Sequence, residues 1–341
     1  MKKRLYKILI VAPAWVGDMV MSQTLLKALK RQYGEMCQID VLVNDWARDV
    51  AKRMPEVHEV LINPFKHGEF GLLKRYRLGR ELRRKHYDQC FVLPNSWKSA
   101  LVPFFAKIAK RTGFIGEMRY GLLNDSYQLD KVALPLMIDR FCALTNDGKK
   151  PENIEFPQFA VDKIQRERLH DNLGLNHERP VICFCPAAEY GPAKRWPTTH
   201  FAKLGDSLQQ QGFQVWIMGS AKDQTIGDEI VAQAQITEHL HNLCGRTSLV
   251  EVIDLLSCAT TVISNDSGLM HVACAVGVPV CAIFGSSSPG FTPPLSAKAQ
   301  IINLNLECAP CFARTCKFGH YDCLQKITPQ LVAKQITQLP V

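Results

Sequence analysis

Three short segments of this 341-residue sequence carry side chains whose types and spacing could do chemistry. In the first, APAWVGDMVMS, Asp18 comes directly after a glycine, where an apolar run passes into a helical pattern. A carboxylate at the mouth of a ligand crevice can take the proton from an attacking hydroxyl, which would make Asp18 a general base. The structural alternative is an N-terminal helix cap, because aspartate is favoured there by backbone hydrogen bonds and by the helix dipole.

The second segment, PAAEYGPAKRWP, follows the apolar run VICFC and holds Glu189, Lys194 and Arg195 between small residues and prolines. Positive charge at the carboxyl end of a strand suits an anionic ligand such as a diphosphate. A solvated loop with stray charge is the alternative. The Walker A spacing is absent, so a P-loop is not predicted.

The third segment, SNDSGLMHVACAVGVPVCAIFG, gives a strand, a polar turn and a helix rich in small apolar residues. Ser267 and Gly268 stand where the new helix presents its free N–H groups, and such a terminus binds phosphate readily. Asp266 would repel a phosphate, so it is expected to accept hydrogen bonds from sugar hydroxyls. His271 on the first helical turn either faces the same side or packs as a buried histidine.

The elements that position these segments are short β-type runs separated by helical patterns, which predict parallel sheets covered by helices. Five strands are predicted before the polar stretch NDGKKPENIEFPQF and five after it: KILIVAP, QIDVLVN, EVLINP, QCFVLPN and TGFIG, then VICFCPA, QVWIMGS, TVISND, VPVCAIFG and QIINL. The predicted fold class is α/β, with two doubly wound, Rossmann-like units over residues 1–158 and 159–325. Ligands are expected at the carboxyl ends of the strands, and between the units where both sets of strand ends face each other.

The end of the chain, residues 326–341, is predicted to be a closing helix that packs back toward the first unit. Its segment TPQLVAKQITQL begins with a Thr-Pro helix entry. Its apolar positions follow a helical spacing, at Leu331, Val332, Ile336 and Leu339.

Composition and missing motifs exclude several classes of protein. Apolar residues make up 47% and charged residues 21%, which excludes disorder, collagen and coiled coil. The first strand is not followed by Gly-x-Gly-x-x-Gly, so no nicotinamide or flavin site is expected there. The apolar run near the N-terminus has about five residues, fewer than the roughly seven of a signal peptide. The uncharged stretch 267–297 is interrupted by Gly and Pro, so a soluble, cytoplasmic protein is expected.

The net charge of +9 is concentrated in one part of the chain. Residues 66–119 contain 13 Lys and Arg against 4 Asp and Glu. The densest part, LLKRYRLGRELRRKHYD, is predicted to be a helix with arginines toward solvent and a buried stripe at Leu72, Leu73, Tyr76, Leu78 and Leu82. The charge is either a solvated helix face or a surface that meets phosphates, of nucleic acid or of an anionic membrane.

The thirteen cysteines fall into two groups. Most lie in apolar runs and are expected to behave as small core residues, such as Cys183, Cys185, Cys258, Cys274 and Cys281. Four others form a Cys-x2-Cys-x4-Cys-x6-Cys cluster that encloses His320, at Cys308, Cys311, Cys316 and Cys323. Structural zinc, plain thiols and disulfides are the alternatives, and no catalytic role is expected of the cluster.

Taken together, WVGDMVMSQTLLKALK, CPAAEYGPAKRWP and SNDSGLMHVACAVGVPVCAIFG resemble the ADP-heptose:lipopolysaccharide heptosyltransferases of glycosyltransferase family 9. The resemblance covers nearly the whole chain in the family's order. It implies a GT-B fold and an inverting, metal-independent transfer of L-glycero-D-manno-heptose from ADP-heptose to the first heptose of the lipopolysaccharide inner core. The alternatives are an enzyme of the heptosyltransferase I type, another GT-B sugar-nucleotide enzyme and, in a different class, a nucleic-acid-binding protein.

The resemblance also implies roles for particular residues. Asp18 would deprotonate the acceptor hydroxyl, and Lys194 would neutralise the donor diphosphate. The donor's heptose and phosphates would be contacted by Asp266, Ser267, Gly268 and His271. Two further candidates near adenine or ribose are Ser220 and Thr247. No cofactor or metal ion is implied. The expected partners are ADP-heptose, the lipid-linked core acceptor and, transiently, the anionic inner face of the cytoplasmic membrane, without nucleic acid.

Overall fold

A computed structural model describes residues 4–66, 68–176 and 178–336. The chain divides into two units, Met1–Pro157 and Gln158–Val341. The boundary lies one residue before the position predicted from the polar, proline-containing stretch. Each unit is an α/β layer structure with its own parallel sheet.

Among its described residues, the first unit has six parallel strands and five α-helices. The strands are β1 Tyr6–Val11, β2 Cys37–Asn44, β3 Val57–Asn63, β4 Gln89–Val92, β5 Lys110–Phe114 and β6 Asp125–Tyr127. The helices are α1 Val16–Tyr33, α2 Arg48–Ala51, α3 Leu72–Leu82, α4 Leu101–Phe105 and α5 Met137–Ala143. The sheet order is β3-β2-β1-β4-β5-β6. The five predicted strands are present, and the short polar strand β6 was missed because Asp-Ser-Tyr carries no strand signal.

The part of the second unit that the structure describes repeats this design, with six parallel strands and seven α-helices. The strands are β7 Val181–Cys185, β8 Gln214–Ile217, β9 Leu240–Asn242, β10 Ala259–Asn265, β11 Val280–Ile283 and β12 Ala299–Ile302. The helices are α6 Lys163–Leu173, α7 Thr198–Gln210, α8 Gln224–Gln233, α9 Leu249–Leu256, α10 Gly268–Ala275, α11 Asp322–Gln325 and α12 Pro329–Ile336. The sheet order is β9-β8-β7-β10-β11-β12. The strands of both units therefore follow the same order, 3-2-1-4-5-6, when they are numbered within each unit.

Both sheets have an apolar interior and a reversal of strand order at the same place. Strands such as β1 and β7 are apolar runs because a parallel strand covered on both faces must be apolar throughout. The order reverses between β1 and β4 and between β7 and β10. In doubly wound sheets, ligands bind at the carboxyl ends of the strands that flank such a switch point. The loops after these four strands are therefore where binding groups are expected.

The buried face of α3 differs from the predicted stripe. Arg75, Gly79 and Leu82 are buried, whereas three of the predicted core residues are exposed, namely Leu72, Leu73 and Tyr76. The physical reason is the contact with α4, because a Cβ on Gly79 would lie 2.5 Å from Cβ of Phe105. The Arg75 guanidinium donates to backbone carbonyls within 3.1 Å, so a cation occupies the interior position that a leucine was expected to fill.

The closing helix is present as α12, and its contacts with other elements include those with α7 and β11 of the second unit. Val332 is fully buried in the core of that unit. The predicted packing of residues 326–341 toward the first unit stays a prediction, and Leu339 lies outside the described residues. Within the described ranges, no helix combines the length and apolarity needed to cross a bilayer.

The core cysteines are mostly where the sequence analysis expects them. Four of the five examples are buried, at Cys183, Cys185, Cys274 and Cys281, whereas Cys258 is half-buried. Burial raises the pKa of Cys274 and Cys281 to about 12. These thiols are therefore neutral packing groups.

Candidate functional site

The carboxyl ends of β7 and β10 bring Lys194 and Asp266 together. Lys194 ends the 3-10 turn Pro192–Lys194 after β7, and Asp266 directly follows β10. Nζ of Lys194 lies 2.5 Å from Oδ2 of Asp266, and the two side chains are 18% and 5% exposed. Because β7 and β10 are neighbours in the sheet, side chains 72 positions apart in sequence form a largely buried ion pair. The two residues were predicted to have separate roles, and no local sequence pattern predicts this contact.

Buried side chains fix the loop that carries Lys194. The Asn265 side-chain amide donates to the carbonyl of Pro186 at 2.6 Å, and its Oδ1 accepts from the backbone N–H of Trp196 at 3.0 Å. The buried indole of Trp196 donates to the carbonyl of Ile327 at 2.8 Å. These bonds fix the loop at both ends and so restrain the position of the Lys194 side chain.

His271, on the first turn of α10, lies beside this ion pair. Burial lowers its pKa to about 4, an effect opposed by the charge of Asp266 and reinforced by that of Lys194. The imidazole is therefore neutral at pH 7. Its buried Nδ1 has no hydrogen-bond partner among the described residues. The histidine is buried, as the packing alternative proposed, and it lies within electrostatic range of both members of the charged pair.

Three buried hydroxyl oxygens in the loops after β9 and β11 lack hydrogen-bond partners in the described part of the chain: Thr247, Ser286 and Ser287. Buried polar groups are almost always hydrogen-bonded, so such atoms indicate a place for a ligand or an ordered water. The backbone N–H of Ser286 donates to the carbonyl of Ala193 at 3.3 Å, next to Lys194. Ser286 and Ser287 were missed, although a serine run directly after an apolar strand is a detectable signal.

The other predicted residues of the second unit occupy the same edge with varied partners. Ser267 is the N-cap of α10, and the helix begins at Gly268. The Ser267 side chain makes no capping hydrogen bond to the first N–H groups of the helix. The Ser220 hydroxyl donates to the Asp223 carboxylate at 2.7 Å and so stabilises its own turn after β8. Glu189 is exposed and lies 3.8 Å from an exposed lysine of the loop after β8, Lys222.

In the first unit, Asp18 is the third residue of α1, after β1. The N-cap of the helix is Trp15, so the structural alternative of Asp18 as the N-cap is wrong. The carboxylate is half-buried in the first helical turn, where the helix dipole attracts negative charge. The prediction that Asp18 and Lys194 share one crevice stays a prediction.

The loop after β4, at the switch point of the first sheet, is held by a buried arginine that belongs to the basic tract, Arg119. Arg119 donates to the carbonyl of Phe114 at 2.6 Å and to that of Pro94 at 2.6 Å, and it reaches Oδ1 of Asn95 at 3.3 Å. Burial lowers its pKa to about 10, so it stays charged at neutral pH. The residue is a positioning group for the switch-point loop.

The remaining basic tract forms a mixed surface. Leu73, Tyr76, Arg77 and Arg80 follow the spacing of one helix face on α3, and all four are exposed. Exposed Phe104 extends the patch from α4. The Arg80 guanidinium lies 5.9 Å from the Tyr76 ring centroid, close enough to interact with its face. We call these five residues the aromatic-basic surface.

One cluster of described residues holds possible metal ligands within 4.8 Å of one another, formed by Asp40, His58 and Glu59. The ligand atoms of these three residues already form hydrogen bonds and ion pairs with one another and with neighbouring side chains. Nδ1 of His58 lies 3.0 Å from Asp40, whose other oxygen accepts from the Tyr87 hydroxyl at 2.6 Å. Lys85 pairs with Glu59 at 2.5 Å. The cluster is therefore a hydrogen-bonded support of the first sheet.

Two Rossmann-like units of identical strand order, one with a cation and a helix N-terminus at its switch point, define a glycosyltransferase of the GT-B type. The family model described as glycosyltransferase family 9 (heptosyltransferase) matches residues 75–322, and the chain belongs to this family.

Several relatives match this chain over nearly its full length. The chain is 45% identical to lipopolysaccharide heptosyltransferase 2 of Salmonella typhimurium, with 98% of both chains covered. It is 44% identical to lipooligosaccharide heptosyltransferase 2 of Haemophilus influenzae, over 97% of this chain and 99% of the relative. The solved structure of ADP-heptose lps heptosyltransferase II of E. coli matches with a TM-score of 0.87 and 43% identity, covering 97% and 98% of the two chains.

Proposed function

We propose that this glycosyltransferase moves L-glycero-D-manno-heptose from ADP-heptose to the first heptose of the lipopolysaccharide inner core, with inversion and without a metal ion. The observation that carries the proposal is the similarity to lipopolysaccharide heptosyltransferase 2 over 98% of both chains. The largely buried Lys194, the neutral histidine and the buried hydroxyls that have no partner among the described residues of the second unit support a phosphorylated, hydroxyl-rich donor there.

The donor would bind at the carboxyl edge of the second sheet. Lys194 offers an ammonium whose three N–H donors are only partly used by Asp266, so a diphosphate oxygen can take another. The open N-terminus of α10 adds backbone N–H groups for the phosphates. His271 and Ser286 would donate to or accept from the donor, because each has a buried polar atom without a partner among the described residues.

Asp18 would act as the general base. In the proposed step, the acceptor hydroxyl oxygen attacks the anomeric carbon of the donor heptose from the face opposite the diphosphate. The new C–O bond forms as the bond to the diphosphate oxygen breaks, and the hydroxyl proton passes to the Asp18 carboxylate. ADP leaves with the electron pair of the broken bond. Because the attack comes from the opposite face, the configuration at the anomeric carbon is inverted.

Charge on the leaving diphosphate would be stabilised by fixed protein groups. Lys194 and the N-terminus of α10 place positive charge and N–H dipoles where negative charge grows as the glycosidic bond breaks. Because the Lys194 loop is already held by Asn265 and Trp196, little reorganisation is needed when the donor binds. This pre-organisation is the physical basis for a mechanism without a divalent cation.

The acceptor is a membrane-anchored lipid, and the aromatic-basic surface would bring the enzyme to it from the cytoplasmic side. Leucine and aromatic side chains insert into the interfacial region, while arginines attract anionic head groups. The first unit, which carries this surface, contains 27 Lys and Arg against 17 Asp and Glu, whereas the second contains 14 against 15. The attraction is therefore confined to the unit proposed to bind the acceptor.

An assay with ADP-heptose and a mono-heptosylated core acceptor, in buffer without added divalent cations, tests the proposal. We expect heptose transfer by the wild type, detected by mass spectrometry of the acceptor. Asp18→Asn keeps the size and helical position but removes the base, so kcat should fall at least about 100-fold. Lys194→Met should raise the KM for ADP-heptose roughly tenfold or more, because a charge-assisted bond is lost.

Matched controls are Asp49→Asn, another acidic residue in the first turn of a helix of the first unit, and Lys203→Met, an exposed lysine of α7. Both should retain wild-type kinetics. Undiminished turnover by Asp18→Asn would remove the assignment of the base. A requirement for added Mg²⁺ would remove the charge argument, and a preference for an acceptor without heptose would assign the enzyme to the heptosyltransferase I type.

A further inference from the structure

A loop of the second unit returns to the carboxyl edge of its own sheet and carries an arginine there. Residues 303–321 connect β12 to α11, and we call this segment the Arg314 loop. The carbonyl of Arg314 accepts the backbone N–H of Ala193 at 3.1 Å. The backbone N–H of Phe312 donates to the carbonyl of Ser286 at 2.7 Å. The loop is therefore hydrogen-bonded both to the turn after β7 and to the serine turn after β11.

The contact between the Arg314 loop and the turn after β7 is tight at Gly191. A Cβ at this position would lie 2.5 Å from the Arg314 carbonyl oxygen, so a larger residue requires a shift of the backbone. The Tyr190 hydroxyl adds a side-chain bond, because it donates to the carbonyl of Phe312 at 2.7 Å. These contacts fix where the backbone of Arg314 lies relative to the turn that carries Lys194.

The aromatic ring of Tyr190 attracts two cations. Nζ of Lys194 lies 5.2 Å from the ring centroid, and the guanidinium carbon of Arg314 lies 5.3 Å from it. Both distances fall within the range of cation–π attraction, about 6 Å. Because like charges repel, two cations gathered at one ring favour an anionic ligand close to both.

The charge balance of the site leaves room for a second cation. The Lys194 ammonium is paired with the Asp266 carboxylate, so the pair as a whole is neutral. The diphosphate of a nucleotide sugar is doubly negative, and its charge increases when the sugar is transferred. Arg314 is exposed and forms no ion pair with any carboxylate in the part of the chain that the structure describes. Its positive charge is therefore available to a ligand.

Two other cations near this edge already have partners. Arg195 donates through Nε to a backbone carbonyl of its own loop at 3.2 Å and so supports that loop. Lys222 lies 3.8 Å from the carboxylate of Glu189, and both of these side chains are exposed. Arg314 is thus better placed than either of them to supply uncompensated charge.

Ser286 and Ser287, beside the Arg314 loop, indicate that a ligand binds at the same place. The two residues are 1% and 3% exposed. Their hydroxyl oxygens have no hydrogen-bond partner among the described residues, although buried polar groups are almost always hydrogen-bonded. The backbone of Ser286 bonds to Phe312 on one side and to Ala193 on the other. A ligand that satisfies these hydroxyls would therefore lie close to the junction of the two loops.

We propose that Arg314 binds the diphosphate of the donor as a second cation beside Lys194, and that Tyr190 is the positioning residue for its guanidinium. This assignment rests on the proposed function, because the ligand is the same donor. It adds a residue from a loop far along the chain, which none of the three sequence motifs contains.

A planar guanidinium is suited to this task. It presents paired N–H groups to two phosphate oxygens, whereas the Lys194 ammonium acts as a point charge. In the proposed transfer, the bond between the anomeric carbon and the diphosphate oxygen breaks, and its electron pair stays on the diphosphate. Arg314 would stabilise this growing charge, which the neutral pair of Lys194 and Asp266 offsets only in part.

Isothermal titration calorimetry of the full-length protein with ADP and with adenosine, which lacks the diphosphate, tests the contact. In Arg314→Gln we expect the Kd for ADP to rise about tenfold and the Kd for adenosine to stay unchanged, because a charge-assisted bond to phosphate is lost. Arg314→Lys should recover part of the loss, since it keeps the charge without the paired N–H groups. The matched control is Lys317→Gln, which removes another exposed cation of the same loop and should bind ADP like the wild type.

Kinetics with ADP-heptose and the core acceptor test the effect on the leaving group. The kcat of Arg314→Gln should fall about tenfold, because the negative charge on the diphosphate is larger in the transition state than in the bound donor. Tyr190→Leu removes the ring and should raise the Kd for ADP about threefold, whereas Tyr190→Phe keeps the ring and should have a smaller effect.

The outcomes separate this inference from the proposed function. Unchanged ADP affinity in Arg314→Gln, or an equal loss in Lys317→Gln, would overturn the role of Arg314 and leave heptose transfer by the wild type intact. An equal rise in the Kd for adenosine would also overturn it, because the loop would then support the site without contacting the diphosphate. A wild type that binds no ADP would instead count against the proposed function and, with it, against a phosphate contact at Arg314.

Discussion

At the scale of single residues, the Lys194–Asp266 pair changes the interpretation of both side chains. A lysine alone at this edge would be a free cation for phosphate, and an aspartate alone would repel one. Paired at 2.5 Å and largely buried, they form a neutral unit whose ammonium is oriented before any ligand arrives. Because removal of one partner strands the other as a buried charge, substitutions of either residue should be interpreted together.

His271 makes the stability of the second unit sensitive to acid. Its pKa is about 4 in the folded protein, below the ordinary 6.5, so the unfolded chain binds more protons between these values. The contribution of the neutral imidazole to the free energy of unfolding is complete above pH 6.5 and is lost as the pH falls toward 4. The difference amounts to roughly 3 kcal/mol at most. We expect the free energy of unfolding of His271→Asn to vary less between pH 7 and 4.5 than that of the wild type.

Urea unfolding followed by tryptophan fluorescence measures this effect in the right unit. Trp196 and Trp216 are buried in the second unit, whereas Trp15, Trp46 and Trp97 are exposed in the first, so the fluorescence change reports mainly the second unit. His86→Asn is the matched control, because His86 is exposed in the first unit and has a φ of 53° that asparagine tolerates. Equal pH dependence in wild type and His271→Asn would contradict the assignment.

At the scale of elements, buried polar side chains determine where the switch-point loops lie. In the first unit this task falls to Arg119, which satisfies several carbonyls of the loops after β4 and β5. Arg119→Met should destabilise the first unit by about 3 kcal/mol, because those buried carbonyls lose their donors. Arg119→Lys should recover only part of the loss, since an ammonium cannot reach all the acceptors of the planar guanidinium.

Chemical denaturation monitored by far-UV circular dichroism measures the change. Arg83→Met is the control, because Arg83 follows α3, is exposed, and should alter stability by no more than about 0.5 kcal/mol. A similarly small effect of Arg119→Met would show that the loop is held by other contacts.

Strand runs and polar turns made the two sheets predictable from sequence, and they also indicated which polar turns follow the strands of the second sheet. Apolar runs such as VICFC reveal parallel strands directly, and charged turns after them mark the loops. The roles of Arg119 and Asn265 could not be predicted, because their partners are backbone carbonyls of distant loops that no local pattern records. The buried face of α3 failed for a similar reason: helical periodicity assumes a leucine-lined interface, and here Gly79 and Arg75 form it.

At the scale of the whole molecule, the excess positive charge lies in the first unit, and on the proposed function it would govern how the enzyme approaches a membrane. The aromatic-basic surface should bind vesicles that contain phosphatidylglycerol and ignore neutral phosphatidylcholine vesicles, with binding weakened by salt. Arg77→Gln/Arg80→Gln should lower the partition coefficient roughly thirtyfold at low salt, from about 1 kcal/mol per cation. Cosedimentation measures the bound fraction.

The comparison variant Arg168→Gln/Lys203→Gln removes two exposed cations from the second unit and should bind vesicles like the wild type. Leu73→Ser should weaken binding without changing its salt dependence, because only apolar insertion is lost. Equal losses for both charge variants would mean that net charge, and not this surface, governs the attraction.

The repeated strand order also bears on how such enzymes diversify. Each half has its own sheet, and the loops of one sheet are supported by contacts inside that half. On the proposed division of labour, a change that retunes sugar choice in the carboxyl-terminal half leaves the scaffold of the amino-terminal half untouched. A few altered turns in one half would therefore change the acceptor while the activated sugar stays the same, or the reverse, with both sheets unchanged.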